Sequence, residues 1–343
     1  MGGNMCKEIS GRYLAALLTI LSLTISASTV HAQGSRQLRI MVGSSVGGGY
    51  DIWARTIARH IGRHVPGNPA VITQNMPGAG GIIAANFLYE TAPKDGSTIG
   101  SIPRDGAVSA IAGSNGARYD ASKFGWLGTP TTETAICLAS HNAKVQTVEQ
   151  LFKQELIVGD TGAGTGGRIY PLALTGLLDM KFKIITGFPG SVEVWLAIQR
   201  GEVDGICESL ASVRNKDPQG IRDGTIKILF QAGLERSNEP EVKDIPFIMD
   251  FAKTEEQKQA LRFLYAGQSF GRPFVTPPGL PAEKLKELQD VFGRTMKDPE
   301  FVADAEKQKL DLDPHTAAQL EGYVRDLYAT PKTVVEKLGT YMK

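Results

Sequence analysis

The chain is poor in cysteine, nearly neutral, and past its N-terminus holds no apolar run long enough to cross a membrane. Each shortage excludes something. Three cysteines in 343 residues exclude a disulfide framework as the scaffold. Only Cys137 and Cys207 lie beyond residue 32, in Thr134-Ala135-Ile136-Cys137-Leu138 and Val203-Asp204-Gly205-Ile206-Cys207. An oxidising compartment would let them pair, but their apolar flanks favour buried free thiols, since a free cysteine packs as a small hydrophobe. A formal charge of +1 with no basic run argues against nucleic acid or an anionic membrane surface as partner. Any selectivity for an anion must then be local.

Metal ligands are also scarce. His60 and His64 stand at i, i+4, but no third ligand is near, and histidines in a last helical turn suit the helix dipole without a metal. No metal and no cofactor is expected.

What is present begins with a signal peptide at residues 1–32. Lys7 and Arg12 form a positive start, residues 13–25 an apolar core, and Val30-His31-Ala32 a small-residue cleavage site before Gln33. Cleavage after Ala32 would export the chain to the periplasm and leave 311 residues (343 less 32). Single cores stop growing near ~250–300 residues, so two lobes are expected.

Strands and helices alternate almost throughout, the pattern of α/β layers with mostly parallel sheets. Strands are expected at 38–42, 71–74, 98–102, 155–158, 182–186, 203–207 and 226–230. A helix over about 51–64 is signalled by Trp53, Ile57 and Ile61 at four-residue spacing. Thr147 and Gln150 form a capping box for a helix over 148–153. A mainly helical tail starts at Pro281. With too few strands to stand alone, it should pack back on the first lobe, giving a discontinuous lobe of 33–137 plus 265–343 and a second of 138–264.

Two glycine-rich strand-to-helix junctions dominate the functional reading. The first runs Gly43-Ser44-Ser45-Val46-Gly47-Gly48-Gly49 and the second Thr161-Gly162-Ala163-Gly164-Thr165-Gly166-Gly167-Arg168. At such a terminus, unpaired backbone N–H groups and the helix dipole together favour an anion. The second matches G-x-G-x-x-G, but the strand after it ends in Thr186-Gly187-Phe188 with no carboxylate to hold a ribose, which argues against a dinucleotide. The first matches G-x-S-x-G, yet no upstream strand exists to carry an oxyanion loop, which argues against a nucleophile elbow.

Arg104 and Arg168 follow strand C-terminal ends, where open α/β sheets bind ligands, and either suits a carboxylate. Asp51, in a first helical turn, complements the dipole or meets an amino or hydroxyl group of a ligand.

These residues resemble a known family. Gly47-Gly48-Gly49-Tyr50-Asp51-Ile52-Trp53-Ala54-Arg55 is similar to a G-G-x-x-D-x-x-A-R signature. Further similar blocks are Asn75-Met76-Pro77-Gly78-Ala79-Gly80-Gly81, Ala92-Pro93-Lys94-Asp95-Gly96, Gly187-Phe188-Pro189-Gly190, Gly201-Glu202-Val203-Asp204, Pro277-Pro278-Gly279-Leu280-Pro281 and Lys297-Asp298-Pro299-Glu300. All resemble the Bug-type (TctC-like) solute receptors of tripartite tricarboxylate transporters. The resemblance implies a type II periplasmic-binding-protein fold, two lobes with a hinged ligand cleft, and no enzymatic activity.

It also implies a small carboxylate ligand held by backbone amides of residues 43–49 and 161–168 and by the next helix start. The expected ligand-binding residues are Ser44, Ser45, Val46, Gly47, Gly48, Asp51, Arg104, Thr161, Ala163, Gly164, Thr165, Arg168, Phe188 and Gly190. An integral-membrane permease of one large and one small subunit is the implied partner, and a monomer is expected. An exported hydrolase using Ser45 and a carboxylate sensor for a membrane signalling protein are the competing functions.

Overall fold

The computed structural model describes residues 37–113 and 116–342. The expected signal peptide and the expected cut after Ala32 lie outside the described residues. Among those residues, no helix is long and apolar enough to cross a membrane.

Two mixed sheets organise the chain. The first begins with β1 (Leu38–Val42) and β2 (Val71–Asn75), followed by β3 (Thr98–Ser101) and β4 (Gly125–Thr129). The second comprises β5 (Ala135–Ser140), β6 (Leu156–Gly159), β7 (Phe182–Ile185), β8 (Gly205–Ser209) and β9 (Ile226–Ala232). The chain then returns to the first sheet with β10 (Phe274–Thr276) and β11 (His315–Thr316). Strand orders are β11-β4-β10-β3-β1-β2 and β7-β6-β8-β5-β9.

Burial explains the strand sequences. β1 is buried on both faces and almost wholly apolar, whereas edge strand β2 alternates half-buried and exposed positions. The sheets are less parallel than the α/β alternation suggests. β1 pairs in parallel with β2 and β3, and β6 with β7 and β8, but β10 and β5 run antiparallel to both of their neighbours.

Helix α1 (Gly49–Ile61) buries Trp53, Ile57 and Ile61 as the four-residue spacing requires. Later come α2 (Ile82–Glu90), α3 (Gly106–Ile111), α4 (Gly166–Leu178), α5 (Ser191–Gln199), α6 (Leu210–Lys216) and α7 (Glu255–Tyr265). The expected capping box at Thr147 and Gln150 forms, but it caps a 3-10 segment, Val148–Phe152, not an α-helix.

The tail holds α8 (Ala282–Met296), α9 (Pro299–Lys307), α10 (Ala317–Tyr328) and α11 (Lys332–Tyr341). Leu288, Val291 and Phe292 of α8 and Phe301 of α9 share a core with β1 and α1. Val334 and Leu338 of α11 join another core with Leu174 of α4 and Leu261 of α7.

The cysteines correct the sequence expectation. β5 and β8 are antiparallel with Cys137 directly opposite Cys207, and the two form a disulfide. A separation of 70 residues gives no hint of this, because strand register, not spacing, brings the sulfurs together.

The two passages between sheets lie side by side. The β4–β5 passage meets the segment before β10: Glu133 N–H donates to Gln268 O at 3.1 Å, and Arg272 N–H donates to Thr129 Oγ1 at 3.0 Å. Gly271 is left-handed (φ +55°), and a Cβ there would lie 1.7 Å from Thr131 O, so only glycine allows the contact.

Candidate functional site: a cavity between the two sheets

Facing strand ends and helix starts of the two sheets line a partly open cavity of about 80 Å³. One water occupies roughly 10–15 Å³ on this scale, so the space suits a small molecule. The first lobe contributes Ser44, Ser45, Gly48, Gly49, Ser101 and Arg104; the second contributes Thr161, Thr165, Gly190, Glu208 and Ser209. Arg272 enters from the passage between the sheets.

Half of the expected residues line this cavity: Ser44, Ser45, Gly48, Arg104, Thr161, Thr165 and Gly190. Ser45 and Gly190 meet across the cleft, where a Cβ on Gly190 would lie 1.9 Å from Ser45 Oγ. The Ser45 hydroxyl donates to Glu193 Oε2 at 3.4 Å, and no histidine lines the cavity among the described residues, so no Ser–His pair is assembled.

The other expected residues have different surroundings. Val46 is 66% exposed. Gly47 is left-handed (φ +80°), and its N–H donates to Asp51 Oδ2 at 2.9 Å. Buried Asp51 also accepts from Arg55 Nε at 2.9 Å and Asn75 Nδ2 at 2.8 Å. Burial works against its charge, but these donors outweigh it and hold the pKa below the ordinary value. Asp51 therefore braces the first loop from behind. Arg168 is drawn back in the same way, with Nη1 donating to Asp160 Oδ2 at 3.1 Å.

Ala163 and Gly164 touch the opposite lobe instead of the cavity. Gly164 N–H donates to Ala79 O at 3.1 Å, and Ser109 Oγ donates to Ala163 O at 3.4 Å. Phe188 packs beside Gly159 and Val194, next to the start of α5.

Arg104 carries the local positive charge the composition demanded. It is 6% exposed; its Nε and Nη1 donate to nothing, and its nearest carboxylate atom is Asp105 Oδ2, 3.9 Å from Nε. Burial opposes the guanidinium charge, but Tyr50, Glu133 and Asp105 outweigh it and raise the pKa. Asp105 is engaged elsewhere. It accepts from Tyr170 Oη at 2.7 Å and from Gly166 N–H, so a first-lobe carboxylate occupies the start of α4. Burial lifts the Asp105 pKa, and Arg104, Tyr170 and Gly166 offset this only in part.

Sequence reasoning missed Tyr50, Ser101, Glu208, Ser212 and Arg272, which all line the cavity. Arg272 donates through Nε to Glu133 Oε1 at 2.7 Å and through Nη2 to Ser209 Oγ at 2.9 Å and Ser212 Oγ at 2.7 Å. Its guanidinium lies 4.4 Å from the Tyr50 ring centroid. A lone charge in the otherwise uncharged run from Phe263 to Val275 was the available signal. His60 and His64 bind carboxylates: Asp304 lies 2.8 Å from His60 Nε2, and Asp298 lies 2.8 Å from His64 Nε2. Among the described residues, no group of side chains is suited to hold a metal.

No family model matches the chain. Its sequence is 23% identical to a UPF0065 protein of Cupriavidus necator over 340 residues, 93% of each chain. Its structure is similar to that of the periplasmic binding protein BugD, with a TM-score of 0.67 at 18% identity over 88% of this chain and 97% of the other. It is also similar to malate-bound MatC from Rhodopseudomonas palustris, with a TM-score of 0.67 at 21% identity over 88% and 99% of the two chains. The chain therefore has the two-lobe fold of the periplasmic binding proteins that BugD and MatC represent, as its resemblance to Bug-type receptors implies.

Proposed function

We propose that the protein is a periplasmic solute-binding protein of the Bug type that captures a small carboxylate between its lobes and performs no chemistry on it. Its lobes would be 33–137 with 265–343, and 138–264. Delivery would be to an integral-membrane permease of a large and a small subunit. The observation that carries this reading is Arg104, a buried guanidinium with unpaired Nε and Nη1 beside the cavity between the sheets. Buried donors without partners are costly, so a ligand that supplies acceptors is favoured.

The helix starts add to this. Gly49 at the start of α1 and Ser191 at the start of α5 face the same cavity, and both termini favour negative charge. Similarity to malate-bound MatC supports the same ligand class.

The test is a thermal-shift panel of mono-, di-, tri- and aromatic carboxylates on protein refolded free of carried-over ligand. A matching carboxylate should raise the melting temperature. Arg104→Ala should weaken its binding roughly ten- to a hundredfold, since a hydrogen bond to a charged group contributes ~1.5–3 kcal/mol. If the whole panel leaves melting unchanged, the reading is wrong. For delivery, deleting adjacent permease genes should abolish uptake of the same carboxylate.

A further inference from the structure

The cavity is asymmetric in what it leaves unsatisfied. Arg104 and Ser101, on the first lobe, are buried cavity residues with unpaired Nε, Nη1 and Oγ atoms. Facing them from β8 of the second lobe is Glu208, which lines the cavity and is 8% exposed. One of its oxygens is taken: Lys216 Nζ donates to Oε2 at 2.7 Å. The other, Oε1, is buried and accepts nothing. A buried carboxylate oxygen without a donor is costly, and the low local dielectric makes the missing bond more valuable when supplied.

We propose that Glu208 is a specificity-determining residue, selecting a carboxylate that also carries a hydrogen-bond-donating substituent, a hydroxyl or an ammonium, received by Oε1. This rests on the carboxylate reading above and adds the second functional group of the ligand. The carboxylate goes to Arg104 and the donor goes to Glu208, so each lobe reads one end. A purely carboxylic ligand of the same length leaves Oε1 unpaired or sets a second anion against it. Discrimination then comes from an unmet partner, which polar sites impose more strongly than apolar pockets do.

Three four-carbon diacids separate the possibilities, because succinate, malate and aspartate differ only in hydrogen, hydroxyl or ammonium at C2. Calorimetry on the ligand-free full chain should show malate or aspartate binding at least tenfold more tightly than succinate. Glu208→Gln keeps an acceptor but removes the charge. A hydroxyl-reading site should then hold malate within about threefold, while an ammonium-reading site should lose aspartate at least tenfold. Glu208→Leu should erase the preference in either case. The double variant Glu208→Leu/Lys216→Met repeats that measurement without a half-buried lysine left lacking its carboxylate partner, should the single variant fold poorly.

Succinate binding within threefold of both others overturns the assignment, as does a preference that survives Glu208→Leu. If other carboxylates in the panel bind and none bears a donor, Glu208 is not the selector and the carboxylate reading stands. If none of the panel binds, both readings fall.

Discussion

Arg272 and Glu133 are an ion pair whose side chains are 4% and 0% exposed. Burial of two charges costs several kcal/mol each, so such a pair adds little net stability even when well made. Its value lies in position: Glu133 is on one passage between the sheets, Arg272 on the other, and the guanidinium also reaches Ser209, Ser212 and the Tyr50 ring. Removing one partner strands the other. Arg272→Met should therefore cost about 3–5 kcal/mol in urea unfolding, and adding Glu133→Leu should recover much of it. A single-variant cost near zero would show the pair to be dispensable. Arg104 was legible in the sequence because it follows a strand end, a local rule. Arg272 was not, since its partner lies 139 residues away and nothing local marks the pairing. Glu208 is a middle case, a charge at the end of an apolar strand whose unpaired oxygen appears only once β8, α6 and Lys216 are placed.

At the scale of elements, α9 is held to α1 by the buried Phe301 and Ala305 and, at the rim, by charge. Asp304 lies 2.8 Å from Arg59 Nη2 and 2.8 Å from His60 Nε2, while Asp298 lies 2.8 Å from His64 Nε2. The two histidines at i, i+4 thus act as docking groups for a tail helix. The hydrogen bond from Arg59 and that from His60 hold the Asp304 pKa down, to about 2 from an ordinary 3.8. Because the folded-state value is depressed, this stabilisation is complete above about 3.8 and is lost as pH falls toward 2. Solvent screening limits it to roughly 1 kcal/mol. Chemical denaturation between pH 4.5 and 2 should show that loss in the parent and a flatter profile in Asp304→Asn. Equal slopes would remove Asp304 from the acid response. Elements with a strong period or cap were readable from sequence, such as β1 and α1. The antiparallel insertion of β10 between β3 and β4 was not, because three residues carry no period and their pairing is fixed by contacts more than 140 residues away.

At the scale of the molecule, several bonds bridge the lobes, among them Tyr170 Oη to Asp105 at 2.7 Å and Arg272 Nη2 to Ser209 and Ser212 Oγ at 2.9 and 2.7 Å. The bonds at the mouth of the cleft are longer and weaker: Gly164 to Ala79 and Ser109 to Ala163, at 3.1 and 3.4 Å, are neutral and contribute only about 0.5–1.5 kcal/mol each, and Ser45 to the Glu193 carboxylate is stretched to 3.4 Å. A ligand gripped by both lobes has higher affinity for the closed form, and that difference shifts the population. Gly164 is the place to test this, because it faces the opposite lobe and does not line the cavity. A Cβ there would lie 2.8 Å from Gly80 O and 2.9 Å from Ile82 Cγ1, so a larger side chain wedges the lobes apart without touching the ligand. In small-angle scattering, the parent should compact when its carboxylate is added. Gly164→Leu should stay expanded with ligand present and bind at least tenfold more weakly, and its own urea midpoint should fall somewhat, because Ile82, which the new side chain meets, is a core residue. Compaction equal to the parent's would mean that the glycine contacts do not govern closure, and that the passages beside Gly271 set the lobe angle alone.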